Sequence, residues 1–297
     1  MATKILCVIG PTASGKSSRA VEEAARRGGE VISVDSRQVY RGLDIGTEKI
    51  TRAEMRGVPH HLIDIREPEE PYSAGDFVAD ATRLIREISA RGKLPILAGG
   101  SHFYFDALFK GLPPPVPQNA PLRDFLTKLS DDDLYARVLQ QDPKRAATLD
   151  PKNRRRLIRA LEIIEAHGKV PKRTPPKITY DTEWIILDPA AAELRKRLEM
   201  RLAEALERGL VEEVRRVRER VGDERLNELG LEYRIVGEYL RGLPAAMSAA
   251  QAGERTEESL FPALSSKLWQ YARRQKAWLR KLKSEVIAAK SSRPGRN

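Results

Sequence analysis

Gly10-Pro11-Thr12-Ala13-Ser14-Gly15-Lys16-Ser17 is the stretch on which the reading of this chain turns. It follows the apolar run Ile5-Leu6-Cys7-Val8-Ile9 and precedes residues 18–27, whose pattern predicts a helix, so G-x-x-x-x-G-K-[ST] stands between a strand and a helix. In that setting the glycines let backbone N–H groups turn inward around a phosphate. Lys16 reaches the outer phosphate oxygens, the Ser17 hydroxyl is placed to ligand Mg²⁺, and the helix points its positive end at the same place. The loop announces a diphosphate or triphosphate, at first sight ATP, without saying which compound it is.

Outward from the loop, residues 30–35 read as a second strand, 61–65 as a third and 94–98 as a fourth ending in Gly99-Gly100. Residues 76–91 place Phe77, Ala81, Leu84, Ile85 and Ile88 on one helical face, with Ser73 and Asp76 as the start signal. Strands alternating with helices predict an α/β fold, a P-loop-type, doubly wound parallel sheet. The alternation stops at Pro113-Pro114-Pro115-Val116-Pro117, and residues 121–167 are helical in pattern with no strand candidate. An all-helical insertion domain over 120–180 is expected, between core parts at 1–119 and 181–283. The late strand is 184–188. A long amphipathic helix follows to about residue 220, then a final helix over 264–283, and 284–297 reads as a basic disordered tail.

No apolar run among the 297 residues approaches the roughly 20 needed to span a bilayer. The single cysteine, Cys7, lies in the first strand and reads as a small core residue. A cytoplasmic protein is expected, with no membrane partner, and a monomer, since no long heptad seam is present. The net charge of +11 is unevenly placed: residues 151–180 hold nine Lys/Arg against two Asp/Glu, and 264–297 hold ten against one. Together these segments carry +16, leaving −5 on the remainder, which suggests a docking surface for a polyanion. The plainer alternative is two solvated helix faces.

In an open parallel sheet the ligand lies beyond the carboxyl ends of the strands. That edge should gather Thr12, Ser14, Lys16 and Ser17, then Asp35-Ser36-Arg37-Gln38, then Gly99-Gly100-Ser101-His102. A carboxylate at Asp35 beside a phosphate loop calls for a metal, a lysine or a proton-donating substrate; otherwise it caps a turn at the strand end. His60 and His61 read as packed or hydrogen-bonded residues, and Asp64 and Asp188 end apolar runs as a Walker B acid would.

The loop, Asp35-Ser36-Arg37-Gln38-Val39-Tyr40-Arg41-Gly42-Leu43-Asp44-Ile45-Gly46-Thr47, Pro59-His60-His61-Leu62-Ile63-Asp64 and Tyr72-Ser73-Ala74-Gly75-Asp76-Phe77 closely resemble the tRNA dimethylallyltransferases. So do Asn153-Arg154-Arg155-Arg156-Leu157-Ile158-Arg159-Ala160-Leu161-Glu162, Gly209-Leu210-Val211-Glu212-Glu213-Val214, and Tyr271-Ala272-Arg273-Arg274-Gln275 with Trp278. These matches run in family order from residue 5 to about 282. Two departures stand out: Ser101-His102 where the family commonly has Thr-Gly, and Leu229-Gly230-Leu231-Glu232-Tyr233-Arg234 where it has a block ending Gly-Tyr-[Lys/Arg].

The resemblance implies transfer of the dimethylallyl group from dimethylallyl diphosphate to N6 of the adenosine adjacent to the anticodon in tRNA, with release of diphosphate. It implies that Gly10 to Ser17 hold the diphosphate together with Mg²⁺ on Ser17, that Thr12 and Lys16 aid its departure, and that Asp35 takes the proton of the amine. By the same analogy Arg197 and Arg201 reach toward the diphosphate. Asp35, Ser36, Arg37, Gln38, Ser101 and Arg123 then lie along the tRNA path. Arg155, Arg156, Leu157, Ile158 and Arg159, with Arg154, meet the anticodon stem-loop. A small-molecule or nucleotide kinase, with ATP in the loop and Asp35 deprotonating a hydroxyl, would explain the loop but leave both basic segments unused. A non-catalytic RNA-binding protein would leave Thr12, Lys16, Ser17 and Asp35 without a task.

Overall fold

The computed structural model describes residues 2–117, 119–176, 178–242 and 257–291. The chain divides into two compact units, Met1–Phe105 with Thr179–Asn297, and Asp106–Ile178. The first unit opens with β1 (Thr3–Ile9), α1 (Lys16–Arg27), β2 (Gly29–Val34), α2 (Arg52–Met55), β3 (His60–His61), α3 (Ala74–Ala90) and β4 (Leu94–Gly99). The division falls inside α4 (His102–Lys110). The second unit holds α5 (Ala120–Leu126), α6 (Asp131–Gln141), α7 (Pro143–Ala146) and α8 (Arg154–His167). The chain then returns to the first unit with β5 (Tyr180–Ile186), α9 (Ala191–Glu207), α10 (Leu210–Glu228), α11 (Leu231–Leu240) and α12 (Glu257–Ser291).

The five strands form one parallel sheet in the order β3-β2-β4-β1-β5. β2 is buried throughout, and β1 and β4 nearly so, as apolar strands covered on both faces must be. Ile9 and Val34 both stand beside Gly99, so the loops leaving β1, β2 and β4 emerge side by side. α3 buries Phe77, Ala81, Leu84, Ile85 and Ile88, the face its spacing predicts. It starts on a capping box in which Ser73 Oγ accepts from the Asp76 N–H (3.2 Å) and Asp76 accepts from the Ser73 N–H (2.8 Å).

Several boundaries differ from the sequence reading. β3 is only His60–His61, because Leu62 and Asp64 take positive φ (62° and 54°) and the chain turns away. The N–H groups of Asp64 and Ile65 then bond the carbonyls of Gln38 and Val39. The long helix expected after the late strand is two helices. Gly209, in a left-handed conformation at φ 92°, ends α9 and caps α10. Residues 284–291, read as tail, continue α12, whose Glu285-Val286-Ile287-Ala288-Ala289 run favours helix; residues 292–297 lie outside the described ones.

The second unit begins ahead of the proline cluster, because Leu112 and Thr174 pair as an antiparallel bridge. A Cβ on Gly111 would meet the Thr174 carbonyl at 1.8 Å. Leu126, Leu134, Val138, Ala146, Leu157, Leu161 and Ile164 build this unit's own core. Among them Glu162 is fully buried and is bound by Arg123 through two parallel bonds (2.8 and 3.0 Å) and by Arg159 (2.8 Å). Burial alone would raise the Glu162 carboxyl; the two guanidinium groups outweigh it and hold the group below its usual range.

Candidate active site

The loop after β1 is tight. The Ser14 N–H bonds the Pro11 carbonyl (3.3 Å), Ala13 is held at φ 59°, and Gly15 (φ 83°) begins α1. A Cβ on Gly10 would lie 2.3 Å from Ser14 Oγ, so that position is closed to any side chain. Ser14 Oγ is itself buried and has no hydrogen-bond partner. Lys16 curls back over the loop to donate to the Pro11 carbonyl (3.3 Å). Burial pulls its ammonium below the ordinary value and Arg201 adds to the fall, while Asp35 and Glu48 draw it back up. A desolvated ammonium is a strong partner for an anion, and the neighbouring carboxylates offset part of its charge while the site is empty.

Asp35 follows the last residue of β2. Its Oδ1 accepts from the N–H groups of Arg37 (2.8 Å) and Gln38 (3.3 Å), a turn at the strand end. Beside it the Ser101 hydroxyl accepts from the Ser36 N–H (3.2 Å), joining the loops after β2 and β4. Gln275 of α12 completes the set: it accepts from the Thr12 N–H (3.0 Å) and donates to the Gly100 carbonyl (3.1 Å). Sequence reasoning gave Gln275 no role in the site, since its partner Thr12 is 263 residues away.

Two more residues went unread. Glu48 accepts from the Thr12 hydroxyl (3.3 Å) and pairs with Arg201 (2.9 Å). Glu232 lines the same cleft as Thr12, Glu48 and Arg201, whose remaining wall is apolar, with Ile45, Leu198 and Leu268. Burial is the main reason that the Glu232 carboxyl is pushed up to about 7; Glu48 and Asp35 add to the rise and Arg37 opposes it. Burial likewise raises the Tyr271 hydroxyl, with Asp35 and Glu232 contributing.

The structure thus gathers Thr12, Lys16, Asp35, Ser36, Ser101 and Arg201 at one edge of the sheet. Others it places elsewhere. Arg197 pairs with Glu193 (2.7 Å) along its own helix. Gln38 is internally committed: it accepts from Ser33 Oγ (3.1 Å) and donates to the carbonyls of Thr47 (3.2 Å) and Glu48 (3.3 Å). In the second unit Leu157 and Ile158, expected along the RNA, are buried in the core on the apolar face of α8. Arg123 and Arg159 are occupied by Glu162, and Arg154 by Asp131 (2.9 Å). Arg155 and Arg156 remain exposed. Burial lowers the Arg145 guanidinium, Arg156 and Arg173 add to the fall and Asp142 opposes it, so three arginines, one with an unpartnered Nε, share a patch with one acid.

The acids read as Walker B candidates are taken: Asp64 by Lys49 (2.6 Å), and Asp188 by Lys276 and by Lys283 (2.9 Å). α12 therefore turns two of its lysines onto the end of β5 and leaves Arg273, Arg274, Arg280 and Lys281 exposed. Arg234 lies 3.9 Å from Glu238 on α11. His60 bonds the Val58 carbonyl (2.8 Å) and His61 the Glu30 carboxylate (2.7 Å), and Cys7 is buried, its thiol pushed up by desolvation.

The sequence model of the IPP transferase family matches residues 38–282. The tRNA dimethylallyltransferase of Thermomicrobium roseum is 40% identical over 290 residues, covering 94% of this chain and 84% of the relative. Among solved structures, the full-length tRNA isopentenylpyrophosphate transferase from Bacillus halodurans is similar with a TM-score of 0.67 at 37% identity, over 94% of this chain and 87% of its own. A eukaryotic dimethylallyltransferase acting on tRNA gives a TM-score of 0.72 at 28% identity, over 94% and 70%.

Proposed function

Since this chain belongs to the tRNA dimethylallyltransferase family, we propose that its phosphate loop holds a leaving group, and that the group transferred is the dimethylallyl of dimethylallyl diphosphate. The acceptor is N6 of the adenosine adjacent to the anticodon in tRNA. The observation that carries this reading is the convergence of Lys16 and Asp35, whose charges feel one another across the end of β4, the strand between β1 and β2. A leaving-group cradle and a proton acceptor stand at one edge.

In the step proposed, the N6 lone pair attacks the allylic carbon, the carbon–oxygen bond breaks, and its electron pair leaves with diphosphate. The exocyclic amine is a poor nucleophile because its lone pair is delocalised into the purine. Asp35 accepts its proton through Oδ2, since Oδ1 is occupied by the turn. Lys16, the loop N–H groups, Thr12 and Arg201 stabilise the charge developing on diphosphate. Ser36, Arg37 and Ser101 line the approach of the base, whose flipping costs roughly a few kcal/mol that its new contacts must offset.

Among the described residues no three His, Cys, Asp or Glu side chains converge to hold a metal. The donor set, a Ser17 hydroxyl in the first turn of α1 and a buried, unpartnered Ser14 Oγ in the loop before it, fits an ion carried chiefly by diphosphate oxygens. Mg²⁺ bound there would neutralise charge on the leaving group. Arg155, Arg156 and the Arg145 patch are assigned to the RNA backbone. We assign this enzyme's work on tRNA to the cytoplasm. No described helix is long and apolar enough to cross a membrane.

The test is incubation with Mg²⁺, radiolabelled dimethylallyl diphosphate and unmodified anticodon stem-loop RNA. Label in the RNA is expected. ATP consumption with no label in the RNA would overturn the reading in favour of a kinase.

A further inference from the structure

Thr12 and Arg201, two of the groups assigned to the diphosphate, meet on a single carboxylate oxygen of this chain. Glu48 Oε2 accepts from Thr12 Oγ1 at 3.3 Å and pairs with Arg201 at 2.9 Å. Thr12 has one hydroxyl proton to give, so it cannot serve that carboxylate and a diphosphate oxygen together. Glu48 is also held in place. Its backbone sits at φ 50°, an uncommon conformation for a residue other than Gly, Asn or Asp. Gln38 clasps the carbonyls of Thr47 and Glu48, and buried Glu213 takes the N–H groups of Asp44, Ile45 and Gly46 at 2.8–3.0 Å. A left-handed residue on a pinned loop, aimed at two anion-binding donors, is an outlier whose position calls for a function.

We propose that Glu48 is a specificity-determining residue of the donor site, an internal carboxylate that competes with diphosphate for Thr12 and Arg201. It keeps both donors oriented and yields them when the donor enters, so it weakens the hold on diphosphate and speeds release of that product. The inference rests on the diphosphate reading of the loop. Glu232 on the same cleft adds a second carboxyl that disfavours a further anion there. Affinity measured for a site that is only fractionally competent falls by that fraction, so a contact holding the donors about nine-tenths of the time lowers it roughly tenfold.

Binding of inorganic diphosphate with Mg²⁺ is to be measured by calorimetry on the full chain, alongside steady-state transfer to RNA. Glu48→Gln keeps the shape and removes the charge; Glu48→Gly suits φ 50° and removes the side chain. Both should bind diphosphate roughly five- to tenfold more tightly than wild type, with KM for the prenyl donor lowered and kcat not raised. In an Arg201→Ala background the gain should shrink, and with Thr12→Val added it should vanish. Unchanged or weaker binding in Glu48→Gln and Glu48→Gly, or a gain that persists in full without both Thr12 and Arg201, would overturn the inference. Failure of wild type to bind diphosphate at all would instead sink the reading of the loop on which it rests.

Discussion

Asp35 commits one oxygen to the fold. Oδ1 closes the turn after β2 by accepting from Arg37 and Gln38, which fixes the carboxylate's direction. The turn-cap reading of this residue and the proposed base role, carried by Oδ2, are therefore compatible. Around it the legible residues are those whose chemistry follows from local spacing: Lys16, Ser17 and the loop N–H groups. Glu48, Glu232 and Gln275 were not legible, because each acts through a partner far along the chain. Glu232 yields a prediction at this scale. Its carboxyl is raised from 4.5 to about 7 in the folded protein, so the fold favours the protonated form. That contribution is complete below the unfolded value and is lost as pH rises through about 7. In thermal melts across this interval, wild type should lose stability relative to Glu232→Gln as pH rises. Parallel curves for the two proteins would show that Glu232 titrates normally.

Among the elements, the loop between β2 and α2 is held from below by α10 and α11. Buried Glu213 accepts from three successive N–H groups, Asp44, Ile45 and Gly46, and from the Tyr233 hydroxyl (2.6 Å). A Cβ on Gly46 would meet the Tyr233 ring at 2.8 Å, which explains a glycine there. Glu213→Ala leaves those donors unpaired in a dry place and should cost about 3 kcal/mol or more in urea unfolding. Amide exchange of residues 44–46 should accelerate at the same time. Protection equal to wild type at those amides would mean that Glu213 does not hold the loop. The family match at 209–214 marked this segment without revealing its task, since nothing in an amphipathic helix says which loop its buried acid will reach. The core strands were legible from apolar runs bounded by Gly and Pro. β3 was not, because the run from His61 to Ile65 buries Leu62 by turning rather than by pairing. The single long helix also failed, as Gly209 breaks a periodicity that otherwise continues on both sides.

For the whole molecule, charge counting located basic segments but could not separate arginines that hold the fold from those left exposed. Arg123 and Arg159 neutralise Glu162 inside the second unit, whereas Arg155 and Arg156 are exposed. Arg123→Ala should lower thermal stability by leaving Glu162 poorly compensated, with little change in the salt dependence of RNA binding. The Arg155→Ala, Arg156→Ala double variant should keep its stability while the slope of log affinity against log salt falls by about 1 to 2. The reverse pattern would exchange the two assignments. The chemical event at the centre of the proposed mechanism is proton removal from an RNA amine by Asp35 as diphosphate departs. Its most direct measurement is single-turnover transfer by Asp35→Asn with donor and RNA both saturating. A loss of about 10²–10⁴ in rate, with diphosphate and RNA affinities unchanged, is the result predicted. Transfer near the wild-type rate, or a loss accounted for entirely by weakened RNA binding, would contradict it.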